Sequence, residues 1–173
     1  LMAKAQSTKN VQLTGNLNAG LKLENEVWSS VSPLTLIVDD TESVAVEESE
    51  INSLSQAASP LLDGETLHIS GTDRVGNEVT SSFIFGDAYD GTTMGDLLGK
   101  INETFGNDST VQLSDGKIIL TDIETGESKT TINILSDEHN TGEIDFPGIK
   151  PRTNNKEDAK FLTGIYFLSK RDL

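Results

Sequence analysis

Cysteine is absent from the 173 residues, which removes disulfides, thiolate metal sites and cysteine nucleophiles together. No stretch approaches the roughly 20 consecutive apolar residues that a membrane-spanning helix needs, and the opening Leu1-Met2-Ala3-Lys4-Ala5-Gln6 lacks the apolar run of a cleavable signal peptide. Basic residues are scarce: 13 Lys and Arg stand against 28 Asp and Glu, a net charge of -15. Such a field repels nucleic-acid phosphates and anionic lipid, so neither nucleic acid nor membrane is an expected partner. We read the acidity as solvated surface. Aromatics are 5% of the chain and histidines number two, so imidazole chemistry has little to work with. With Leu ahead of Met, and apolar Leu162, Ile165, Phe167 and Leu168 near the other end, we expect a piece of a longer protein.

What remains is mostly strand-like. Val11 to Leu17 alternates apolar and polar residues, and Leu34 to Val38 is β-rich and ends in the turn-prone pair Asp39-Asp40. Glu47, Glu48 and Glu50 ahead of Ile51 and Leu54 allow a short helix over Val46 to Ala58, because acids suit a helix N-terminus. Thr66 to Ser70 and Glu78 to Phe85, joined by Thr72 to Asn77, predict a β-hairpin with Leu67 and Ile69 on one face and Val79, Ser81, Phe83 and Phe85 on one face of the return strand. Met94, Leu97, Leu98, Ile101 and Phe105 fall on one stripe of a helix, with Thr93 and Asp96 in capping-box positions and Gly106-Asn107 at the stop. Gly95 and Gly99 weaken that helix, so it depends on packing against the hairpin, and we expect them to let it lie close to the sheet. Thr110 to Leu113, the Asp115-Gly116 turn and Lys117 to Thr121 predict a second hairpin, and Thr130 to Leu135 a further strand.

The fold class expected is therefore mainly β (α+β): antiparallel hairpins with one well-defined short helix packed on the sheet and room for a second. Residues 1–61 supply an entry strand and a β segment, 62–136 a β-β-α-β-β-β module, and 137–173 a polar linker with a last β-like segment near Leu162 to Leu168. Leu67, Ile69, Phe83, Leu97, Ile101, Phe105, Leu113 and Leu120 are the expected core.

The sequence carries no recognisable catalytic or ligand-binding constellation, so no catalytic, cofactor-binding or metal-binding residue is assigned and no enzyme is expected. His68 and His139 fall in different elements without ligand spacing; His68 should face solvent opposite Leu67 and Ile69, and His139 should lie in a polar loop. No Gly-x-Ser-x-Gly elbow occurs. Asp87, Asp90 and Asp96 lack EF-hand spacing, Gly95 to Lys100 lacks that of a phosphate loop, and Asp39-Asp40 and Glu47-Glu48 read as surface charge. Asn102-Glu103-Thr104 and Asn107-Asp108-Ser109 match the short N-glycosylation pattern, which arises by chance.

Two stretches resemble bacterial flagellar hook proteins. Leu1 to Thr8 followed by Val11 to Asn18, with its Ala-Lys-Ala and Asn-Leu-Asn, is similar to the passage in which hook proteins leave their inner domain for an outer one. Leu62 to Thr72, then Thr93 to Asn102, then Leu120 to Asp122, resembles the hook "IN" motif shared by hook, hook-associated and filament-cap proteins, which ends its helix in a characteristic Ile-Asn, here Ile101-Asn102. The Tyr-Asp-Ser-x-Gly-Asn stretch that often follows the hook opening is not present. The resemblance implies an outer-domain part of a structural, non-enzymatic subunit, exported by the type III apparatus and located outside the cell in the flagellar hook. Its implied partners are other copies of the full-length subunit, the hook cap and hook-associated proteins; without the terminal segments that drive polymerisation, the isolated chain is expected to be monomeric. A hook-filament junction or cap protein is the nearest alternative, and a secreted carbohydrate- or calcium-binding β module the alternative from another class.

Overall fold

The computed structural model describes residues 25–151 apart from Asn107. The expected strand at Val11 to Leu17 and the β-like segment at Leu162 to Leu168 lie outside the described residues. The chain is mainly β with antiparallel sheets and one α-helix among the described residues. In order, the elements are β1 (Asn25–Ser30), β2 (Thr35–Val38), β3 (Thr41–Val44), a 3-10 turn at Ile51–Ser53, β4 (Ala57–Ser59), β5 (Thr66–Thr72), β6 (Glu78–Ile84), α1 (Met94–Phe105), β7 (Ser109–Ser114), β8 (Lys117–Thr125), β9 (Thr131–Ser136), β10 (Glu143–Ile144) and β11 (Ile149–Pro151).

Both expected hairpins form, but in different sheets. β6, β5 and β9 make one, with Leu67 opposite Phe83 and Ile69 opposite both Ser81 and Ile134. β11, β1, β8 and β7 make the other, so segments from residues 1–61, 62–136 and 137–173 share a sheet. The Asp115-Gly116 turn has positive φ at both residues, 51° and 71°, the mirror-image geometry that matches strand twist.

Helix α1 buries the whole stripe of Met94, Leu97, Leu98, Ile101 and Phe105 and packs on β6 and β7, bridging the sheets. Its N-terminus is closed by the expected capping box: the Asp96 backbone N–H donates to Thr93 Oγ1, while the Asp96 carboxylate accepts from the Thr93 backbone at 3.0 Å. Gly95 lies against Glu47, whose carbonyl oxygen would sit 3.2 Å from an added Cβ, whereas Gly99 faces open space. The expectation that both glycines bring the helix close to a sheet is thus corrected. At Gly71 and Gly142 a missing side chain decides packing, since a Cβ would fall 1.9 Å from the Thr131 carbonyl of β9 at the first and 2.3 Å from the Pro60 carbonyl at the second. The obstructing atoms are backbone in both cases, so nothing can rotate away.

Three further expectations change. Val46 to Ala58 forms one 3-10 turn and β4 instead of a helix, because its backbone is taken elsewhere: Glu47 and Ser49 carbonyls accept from Gly95 and Met94, and Ile51 donates to Thr92. Residues 137–151 are not a free linker, since β10 pairs with β4, β11 with β1, and Ile144 and Phe146 are buried. Leu113 is half-buried, while the other seven expected core residues are buried in one continuous cluster.

Candidate functional site

Strand alternation puts His68 on the outer face of β5, away from Leu67 and Ile69. Leu135 of β9 lies opposite His68, and Asp137, two residues on, shares that face. The carboxylate consequently meets both histidines: Asp137 Oδ2 lies 2.5 Å from His68 Nε2, and Oδ1 lies 2.9 Å from His139 Nδ1 and accepts the His139 backbone N–H at 2.8 Å. On the other side of His68, Ser82 Oγ stands 3.5 Å from Nδ1. The two histidines are solvent-exposed as expected, but spacing alone did not reveal that they converge on one carboxylate. The convergence requires the β5–β9 register, a long-range pairing that no local pattern encodes.

The backbone N–H of His139, the His68 ring and the His139 ring hold the Asp137 carboxyl far below the usual carboxylate range. A depressed native pKa stabilises the fold above the unfolded-state value near 3.9, and that stabilisation is lost as pH falls through the native value. Asp137→Asn should therefore be less stable than wild type at pH 7, with the difference shrinking on acidification below about pH 4. Urea midpoints at both pH values check this; a difference that persists unchanged in acid contradicts it.

Chemically, a serine hydroxyl, an imidazole and a carboxylate in a row suggest acyl transfer. Here the hydroxyl is at the outer limit of hydrogen bonding, and the row lies open on a sheet face where water competes for each group. What the cluster does is tie the β9–β10 connection to β5. Glu65 and Asn140 extend that tie. The Glu65 carboxylate accepts from the Leu62, Thr141 and Gly142 backbone, and Asn140 exchanges two hydrogen bonds with Thr66 at 3.0 and 2.8 Å. Desolvation raises the Glu65 pKa, but its backbone donors outweigh that effect and leave it lowered.

Of Asp87, Asp90 and Asp96, the last two are each engaged by a different partner, and the three do not converge on one point. Asp90 accepts from Lys100 at 3.0 Å and from the Ile84 backbone, and Asp96 caps the helix. Asp39 and Asp40 form the positive-φ turn between β2 and β3. Among the described residues no group of three or more His, Asp and Glu side chains is arranged to hold a metal ion.

The Ile101-Asn102 pair has a structural task that the sequence did not disclose. Ile101 is fully buried under the sheets, while the Asn102 side chain hydrogen-bonds both backbone groups of Val111, accepting from N–H at 2.8 Å and donating to the carbonyl at 3.3 Å. This staples the end of α1 to β7. Asn52 does the same to Leu61, at 2.7 and 2.9 Å. Asn102→Ala should cost about 1 kcal/mol, the net worth of side-chain hydrogen bonds at a partly exposed site. Denaturant titration checks it, and a loss of zero would remove the staple.

No protein-family model, curated protein or solved structure matches this chain.

Proposed function

We propose that this chain is an outer-domain portion of a bacterial flagellar hook subunit, a structural element of the extracellular joint between motor and filament. The observation that carries the reading is the Ile101-Asn102 pair. In the stretch that resembles the hook motif, the isoleucine anchors α1 in the core and the asparagine fixes the following strand. Such a pair joins helix to strand, which is the work a building block requires of its side chains. Asp96 and Lys100 of the same stretch serve the fold in the same way, through the helix cap and the ion pair with Asp90. The partners in this reading are neighbouring copies of the full-length subunit, the hook cap and hook-associated proteins.

Disrupting the gene for the full-length protein tests the assignment. The mutant cells should retain basal bodies yet carry neither hooks nor filaments. Hooks bare of filaments would instead assign a junction or cap protein, and normal flagella would overturn the flagellar reading.

A further inference from the structure

The β2–β3 hairpin stands apart from the two main sheets and leaves apolar surface uncovered. Ile37 is 69% exposed, Val44 46% and Val46 53%. Register places Ile37, Glu42 and Val44 on one face. Because Ala45 donates to the Leu34 carbonyl, alternate pairs along the hairpin are bonded, and the N–H and C=O groups of Glu42 and Val44 point away from β2. Among the described residues β3 has no strand on that side. Beside this edge runs an open groove lined by apolar Val44, Ala45, Val46 and Leu113 and by acidic Glu47, Glu48 and Asp115. An open strand edge next to an apolar, acid-rimmed groove suits an extended segment with apolar residues and basic ends.

Such a segment exists in this chain. Residues 25–151 hold 24 of the 28 acids but 5 of the 13 basic residues, so the remaining 8 basic residues lie in the two terminal stretches. Lys160 to Arg171 combines Phe161, Leu162, Ile165, Tyr166, Phe167 and Leu168 with Lys160 at one end and Lys170 and Arg171 at the other. We propose that Lys160 to Arg171 binds across the β3 edge and its acidic groove, with its apolar residues over Val44 and Val46 and its basic ends toward the rim carboxylates. Reach permits this. Pro151 lies opposite Trp28, six residues before Leu34 at the hairpin base. The chain from Trp28 to Leu34 spans at most about 20–22 Å, the two strand pairings that join Pro151 to Trp28 and Leu34 to β3 add about 10 Å, and the 14 residues from Arg152 to Ile165 can extend about 46–50 Å. Tethering also raises the effective concentration of the segment at the groove. This inference does not depend on the functional reading above.

Because the chain has no cysteine, disulfide trapping in the full chain is clean. Val44→Cys is combined with Ile165→Cys or with Phe167→Cys, and compared with Ile123→Cys carrying the same second cysteine. Ile123 is comparably exposed, at 52%, and lies on β8, beside the strand that carries the Pro151 partner Trp28. A segment sampling the surface at random would therefore close onto Ile123→Cys at least as fast. Under dilute, mildly oxidising conditions the Val44→Cys pair should close within one molecule at least about tenfold faster, since docking multiplies the local concentration. Adding Glu42→Lys, Glu47→Lys and Glu48→Lys should remove most of that advantage. Equal rates overturn the proposal. So does disulfide formation chiefly between molecules, which would transfer the site to a second copy.

Discussion

Replacing Phe83 with alanine should destabilise the protein by about 3–5 kcal/mol, the cost of deleting a buried aromatic ring from a core that relaxes only partly around the gap. Phe83 is fully buried on β6, opposite Leu67, on the strand against which α1 packs. The ring thus touches the point where hairpin and helix depend on each other. Because α1 carries Gly95 and Gly99 and persists through its packed stripe, loosening this contact should weaken the helix as well as the sheet. Ile84, the next residue, faces outward, and Ile84→Ala should cost under about 1 kcal/mol. Chemical denaturation of the two variants separates core packing from a general intolerance of strand substitution. A loss below about 1 kcal/mol at Phe83 would contradict the packing described.

The second large effect is expected at Arg74. Its guanidinium reaches from the β5–β6 turn to the far end of β8, donating to the Glu124 and Thr125 carbonyls at 2.6 and 2.7 Å and facing the Asp122 carboxylate at 3.4 Å. Asp122 is completely buried and also accepts from Ser109 at 2.8 Å and Thr130 at 3.2 Å. Removing the cation leaves a buried carboxylate with two hydroxyl donors and no counter-charge, so Arg74→Ala should cost about 3 kcal/mol. Arg74→Lys should restore only part of this, because an ammonium cannot serve two carbonyls and a carboxylate with the planar fork of a guanidinium. Full restoration by lysine would mean that charge alone matters and that the carbonyl bonds contribute little.

Local features of the chain were legible and long-range ones were not. The α1 stripe, the Thr93–Asp96 capping box and the Asp115-Gly116 turn each depend on residues within a few positions of one another, and each is where the pattern places it. Hairpin β5–β6 followed from alternation for the same reason. The 3-10 turn at Ile51–Ser53 was hidden because its competitor for backbone bonds, the approach to α1 at Thr92 to Gly95, lies about 40 residues away. Residues 137–151 resemble a linker in composition, with Pro147, Gly148 and many polar residues; two isolated side chains, Ile144 and Phe146, suffice to anchor them once β4 and β1 offer edges. Sheet membership was equally out of reach, since nothing near β5 in sequence specifies β9 as its neighbour. The meeting of His68 with Asp137 and His139 follows from that same register and was lost with it. The role of Asn102 needed the position of Val111, which the strand pattern gave only to within a few residues.

These observations bear on function through the difference between a site and a staple. His68, Asp137, Glu65, Asn102 and Arg74 all carry groups used elsewhere for catalysis or binding, and each makes contacts here that join one strand or connection to another. That distribution fits a part whose task is to hold shape. Immunogold electron microscopy of the source cells, with antibody raised against this chain, tests the structural-subunit reading most directly. The account predicts label confined to the short curved segment between the cell surface and the filament; flagella left bare while label falls elsewhere would contradict it.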